Sequence, residues 1–481
     1  MLAQLAIIPV GFLSELPHWS QILKFLKKFC FFVFGLSICS SLSRGAQDPE
    51  AVHRAMINLT QTASSGALLP LVFTPKVFDE LWRSWDPNEI AQTRIALKTQ
   101  LEKRKAVFEH YGLLENPKNS LLPLGFVTRN GLLAMNCLAC HAGQIQGQII
   151  IGLPNRNIDL KSLLHDLAKM HPIPGMFFNQ LALNFGPERG MVVSPGIESM
   201  ALNLRDANMN LQMSPNNLGS FEKSVVNVPP WWNLPLKTHI FADAVLPVTP
   251  RIFVPNMTSA MDIGIFFKAA EPSVSDAFAL ARSTQPPKFP GPIDLGLAEK
   301  GKLVFNVSCA KCHGHYSLDG KILDYPNKII RMDRIQTDPQ RALPEGYAKL
   351  LNFMNQSWIG EDFKTPMLAP TGYLAPPLIG IWSTAPYLHN GSVPTLWAML
   401  NSEKRPKYWK VSPRLYDYNL QEVGLIYSEV QDMAVKDRNS NTEKSRYYDT
   451  RKEGRGSFGH TFPDALSQDE KLQVLEFLKV L

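Results

Sequence analysis

Two short motifs constrain this chain more than any other feature: Cys137-Leu138-Ala139-Cys140-His141 and Cys309-Ala310-Lys311-Cys312-His313. The Cys-x-x-Cys-His spacing is the attachment signature of a c-type haem. The thiols add across two vinyl groups, and the adjacent His offers its imidazole to the iron as proximal ligand. Cys and His at short spacing also suit zinc, but a structural zinc ion takes four protein ligands and each motif brings three. The expectation is two covalently attached haem c groups, held through Cys137, Cys140, Cys309 and Cys312, with His141 and His313 on the irons.

The remaining cysteines, Cys30 and Cys39, lie in the apolar run 29–39. Lys24, Lys27 and Lys28 precede it, and Ser40, Ser41 and Ser43 follow. A basic flank, a short apolar core and a small-residue exit read as a secretory signal peptide, assigned here to residues 1–45. The run is shorter than the roughly 20 residues of a membrane span. An uncleaved N-terminal membrane anchor is the alternative, while bulky Ile38 disfavours a lipoprotein through Cys39. With no cysteine left over for a disulfide, export serves haem attachment. The expected location is the periplasm of a bacterial cell envelope, or the secreted medium. Removing residues 1–45 lowers the formal charge from +7 to +4, a balance that up to four haem propionates offset. No basic run of the kind that binds nucleic acid is present.

Glu89 to His110 reads as one amphipathic helix, with Ile90, Ile95, Leu97, Leu101 and Val107 as its stripe. The 37 prolines favour short helices joined by long ordered loops. Gln285-Pro286-Pro287-Lys288-Phe289-Pro290-Gly291-Pro292 is the clearest linker (residues 286–292 at its core). It divides a first haem region, 46–285, from a second, 293–481. Leu295 to Phe305 has helical spacing and leads into Cys309. Ser467 and Glu470 form a capping box that opens a closing helix with Leu472, Leu475 and Leu478 as core. Two helices crossing beside a haem are what a cytochrome c-like domain needs. The class is mainly α: two cytochrome c-like haem domains with long ordered loops and few short strands.

Ala385-Pro386-Tyr387-Leu388-His389-Asn390-Gly391-Ser392 resembles the Pro-Tyr-x-His-x-Gly-Ser signature of the di-haem cytochrome c peroxidase superfamily. With Asn390, and with the blocks Gly152–Asn155, Val228–Trp232, Thr337–Pro339 and Gly459–Phe462, the chain is most similar to the rubber oxygenase branch. It lacks the Trp-Asp-Gly-Arg block of the ordinary peroxidases, and it is shorter than the characterised oxygenases. The resemblance implies an oxidoreductase that uses peroxide or dioxygen, with a small cytochrome or cupredoxin as electron donor and an apolar isoprenoid as a candidate substrate. Members of the superfamily also hold calcium between domains, but no oxygen cage for it is legible here.

The sixth ligand decides which iron reacts. His460 matches a His that ligates the C-terminal haem in the rubber oxygenases, with Met433, Met399 and Met367 as sulfur rivals. Trp231 and Trp232 match an aromatic segment on the distal face of the N-terminal haem; otherwise they are core aromatics. His389 is placed against a propionate or between the haems, with iron ligation as the alternative. Glu222 is the one nearby carboxylate for proton transfer at the first haem. The expected division is therefore an open, catalytic haem on His141 and an electron-holding haem on His313 and His460. The competing class is an electron carrier with both irons six-coordinate.

Overall fold

A crossing of two helices organises the second half of the chain. Leu295–Ser308 and Gln468–Val480 make the most extensive helix–helix contact in the computed structural model. That structure describes residues 48–60, 69–70, 73–129, 131–170, 179, 181–219, 221–257, 264–342, 347–414, 417–431 and 441–481. The helices touch at Gly301, where an added Cβ would lie 1.9 Å from the Gln473 carbonyl oxygen. Only glycine lets the backbones approach that closely. Asp294 caps the first helix by accepting from Leu297 N (3.0 Å). The Ser467–Glu470 capping box starts the second: Ser467 Oγ accepts from Glu470 N and the Glu470 carboxylate accepts from Ser467 N. Leu475 and Leu478 enter the core as expected, but Leu472 stays 46% exposed. Phe477 lies on the buried face and meets Phe305 edge to face at 5.3 Å.

In the first half, Pro49–Thr60 packs on Glu271–Ser283 and joins it through the Arg54–Asp276 ion pair (2.9 Å). The single helix expected over Glu89–His110 is two, Pro87–Ala96 and Gln100–His110. Thr99 and Glu102 form a capping box there, and an N-cap needs an extended residue that a continuous helix cannot supply. Leu101 is accordingly exposed, whereas Val107 and Phe108 are buried.

Strands are short, as expected, but not few: eighteen are described, in antiparallel pairs or triplets, because the loops between the short helices fold back on themselves, several as hairpins. Two hairpins bracket the first motif. Phe126–Arg129 pairs with Leu132–Met135 just before Cys137, and Ala142–Ile145 pairs with Gln148–Ile151 just after His141. The mainly helical expectation stands. The Pro-rich stretch is not a free spacer: Trp382 Nε1 donates to the Pro287 carbonyl (3.0 Å), and Phe289 packs edge-on to Trp382. Residues 48–481 form one unit, and Ile145, Leu153 and Trp232 share a core with Trp382 and Phe477. The basic-apolar segment read as a signal peptide lies outside the described residues. Among the described residues no helix is long and apolar enough to cross a membrane.

Gly301→Val should destabilise the protein by roughly 2–4 kcal/mol, because the helix crossing must open to admit the side chain. Urea unfolding followed by circular dichroism reads this directly. An unchanged midpoint would mean the crossing is not a structural constraint.

Candidate haem cavity

Both Cys-x-x-Cys-His motifs open onto one cavity of about 900 Å³, lined by Cys137, Cys140 and His141 at one part and by Cys309, Cys312 and His313 at another. The walls are largely apolar, with Phe185, Phe241, Phe253, Phe278, Val474 and Leu478 among them. Burial pushes the Cys137 thiol up to about 11 and the Cys140 and Cys309 thiols up to about 12. These thiols are therefore neutral at physiological pH. Among the described residues no cluster of three or more metal-binding side chains forms.

The support of His313 is explicit. Its Nδ1 sits 2.9 Å from the Pro376 carbonyl, which fixes that nitrogen as the donor and leaves Nε2 unprotonated. Tyr316 locks the turn by donating from its hydroxyl to the His313 carbonyl (2.7 Å) and accepting from Leu378 N (2.8 Å). The His460 ring stands 6.2 Å from His313, centroid to centroid, tilted by 62°. Two imidazoles that share one metal ion at about 2 Å each have centroids roughly 6 Å apart, so the spacing fits a common iron. Burial, then the neighbouring His313 and Arg405, push the His460 imidazole down to about 3. It is neutral, and its buried Nδ1 has no hydrogen-bond partner.

A dedicated clamp positions His460. Its backbone is left-handed (φ 44°), an uncommon conformation for any residue but glycine. Gly459 before it also has positive φ, and a Cβ there would meet the Gln336 backbone at 2.2 Å. Arg405 donates to the Ser457, Gly459 and His460 carbonyls (2.7, 2.6 and 3.1 Å), and His460 N donates to Ile335 O (2.8 Å). Asn390 Nδ2 donates to the Gly454 and Gly456 carbonyls, and Ser392 Oγ to Gly456. Asp338 accepts from Gly456 N (2.9 Å). The segments 337–339, 388–392 and 459–462, far apart in sequence, thus converge on one loop. Arg405 was not singled out from the sequence; an isolated Arg carries no signal there.

The His141 end is built differently. Its ring faces the Pro229 carbonyl, although Nδ1 does not reach ordinary hydrogen-bond geometry. Burial drives the imidazole down to about 4. Trp231 lies nearly parallel to the ring at 5.1 Å and 25°. The structure therefore brings Trp231 directly against the face of the His141 ring. Trp232, fully buried, is not among the cavity-lining residues and donates from Nε1 to the Ile379 carbonyl (2.8 Å). Asn233 Nδ2 donates to the Pro377 carbonyl (3.2 Å). The strap 226–233 therefore ties the His141 support to the loop that carries Pro376.

His389 lines the same cavity and stacks on Tyr373 at 4.0 Å and 19°. Burial, and then the buried Arg341, push its imidazole down to about 3. Arg341 is held by Asp243 at 2.8 Å. Met399 lines the cavity, Met367 is packed in a separate core, and Met433 lies outside the described residues. Glu222, expected as a proton-transfer group, is exposed and does not line the cavity.

Residues 372–410 match the family model described as RoxA-like, cytochrome c-like. This is a cytochrome c-like segment, and it supports haem c binding. It carries Pro376, His389, Asn390 and Arg405, so it spans both the carbonyl behind His313 and the clamp on His460. Two uncharacterised proteins of Sinorhizobium fredii, y4iJ and y4iM, are similar in sequence. The first is 29% identical over 276 residues (44% of this chain, 43% of that protein), the second 28% over 200 residues (36% and 43%). These matches span under half the length of either relative. A solved structure of Kuenenia stuttgartiensis hydrazine synthase under xenon pressure aligns at TM-score 0.22 and 13% identity, over 63% of this chain and 91% of that one. It is too dissimilar to bear on the fold.

Arg405→Ala should cost about 2–4 kcal/mol, since it removes several charge-assisted bonds to carbonyls. Amide hydrogen exchange at Gly459 and His460 should rise selectively. Unaltered exchange there would show that the loop holds itself.

Proposed function

We propose that this protein is an exported c-type cytochrome that binds two haems covalently and acts as an oxidoreductase. The reading rests on the inequality of the two sites. His313 has a second imidazole, His460, at the spacing of a shared iron, whereas the ring against His141 is Trp231, which flanks it. Cys137 and Cys140 would anchor one haem with His141 as ligand; Cys309 and Cys312 would anchor the other between His313 and His460. Haem iron supplies one-electron redox chemistry and, where an axial position is open, binds a small oxidant.

The chain's own groups favour dioxygen and an apolar substrate over peroxide at the His141 site. Among the described residues lining the cavity there is no Asp or Glu. Cleavage of a peroxide bond calls for a group that carries a proton between its oxygens. His389, neutral and stacked on Tyr373, is the nearest thing to one. The phenylalanine walls exclude water and accommodate a hydrocarbon such as an isoprenoid. Trp231 buttresses His141, and Trp232 fixes the distance between the two histidine supports. The exposed rim carries Lys311, Arg331 and Arg334, which suits an acidic redox protein as electron donor. The basic-apolar N-terminal segment would direct the chain to the periplasm.

Visible and EPR spectra of the purified protein should contain a low-spin and a high-spin species in comparable amounts, and carbon monoxide should bind only the second. His460→Ala should convert the low-spin species to high-spin. Entirely low-spin spectra with no response to carbon monoxide, cyanide or peroxide would instead identify an electron carrier. Oxygen uptake with an isoprenoid, against peroxide turnover with a reduced cytochrome, separates the two catalytic chemistries.

A further inference from the structure

Lys237 stands half-buried in the cavity wall, and among the described residues nothing accepts from its ammonium group. Burial, uncompensated by any neighbouring anion, pulls the group down to about 8. Once a bound group fills the cavity and shuts out water, a cation in its wall is costly unless an anion meets it, and the described lining has no carboxylate to offer.

The position of Lys237 is specified. The Asn327 side chain brackets it, donating from Nδ2 to the Leu236 carbonyl (2.8 Å) and accepting at Oδ1 from Thr238 N (3.0 Å). Asn327 itself adopts positive φ (47°), a conformation asparagine tolerates better than most residues. Lys328 follows directly and also lines the cavity. The Lys328 carbonyl accepts from Ala375 N (3.0 Å), one residue before Pro376. Asn233, four residues before Lys237, bonds to Pro377. One asparagine thus brings two lysine-bearing segments together at the seam between the His141 and His313 supports.

We propose that Lys237, with Lys328 from the adjoining segment, holds a haem propionate at this seam. A propionate is a carboxylate on a large apolar ring, which matches an isolated cation in an apolar wall. The assignment rests on the two-haem reading and adds to it the group that sets one haem's potential. A propionate's negative charge favours ferric iron, and an ammonium group beside it offsets that preference. Removing the ammonium group therefore lowers the potential of the haem concerned.

The test is an optically monitored redox titration of the full-length holoprotein, with haem content measured by pyridine haemochrome. Lys237→Met should keep two haems per chain and shift one of them toward the ferric state about tenfold at fixed potential, which is about 59 mV for one electron. Lys237→Arg should titrate like the wild type, as should Lys118→Met at an exposed site outside the cavity. Two haems with unmoved potentials in Lys237→Met would overturn the assignment and leave the two-haem reading standing. Wild-type protein without haem would sink both. If Lys237→Met fails to load haem while Lys237→Arg loads fully, the charge requirement is upheld. Failure of both would place Lys237 in folding and overturn the proposal.

Discussion

Two buried side-chain hydrogen bonds, Trp232 to Ile379 O and Asn233 to Pro377 O, hold the cavity in register. Each starts on the strap that supports His141 and ends on the loop that supports His313. A buried indole N–H must find an acceptor or cost the protein its full desolvation penalty, so the two loops cannot slide independently. Asn227 reinforces the contact, donating from its backbone N to the His389 carbonyl and from its side chain to the Pro386 and Leu388 carbonyls. The carbonyls facing the two histidines both belong to Pro-Pro dipeptides, 229–230 and 376–377, with that of Pro376 in hydrogen-bond contact with its histidine. Proline cannot donate from its own nitrogen and holds φ fixed, which suits a carbonyl that must keep one direction.

The residues that carry the resemblance to di-haem enzymes are largely architectural. Asn390 and Ser392 reach the 454–456 turn, Asp338 caps Gly456, and Arg405 gathers the carbonyls around His460. Together they maintain a left-handed histidine whose conformation is unfavourable alone. His389, at the centre of the signature, has its ring on Tyr373 and its carbonyl on Asn227.

Much of the second half was legible because its signals are local. Capping boxes and apolar spacing are written within a turn or two of helix, so the closing helix begins where Ser467 and Glu470 place it. The same local rule divides the helix expected over 89–110, where Thr99 and Glu102 outweigh an approximate apolar stripe. Leu472 and Phe477 show the limit: which flank of a helix is buried depends on the partner it crosses, and that partner meets it at Gly301.

The sequence by itself carried the haem reading proposed at two points, because Cys-x-x-Cys-His is a contiguous unit whose spacing and ligand type are legible without the fold. It also marked His460 as the second imidazole, through a resemblance between short blocks. Only the tertiary structure decided that Trp231 flanks His141, that Trp232 is a tie between loops, that Arg405 gathers the carbonyls around His460, and that Lys237 lines the cavity. Each of those depends on contacts between residues distant in sequence. A side chain's direction and its partners are properties of packing, and no local pattern encodes them.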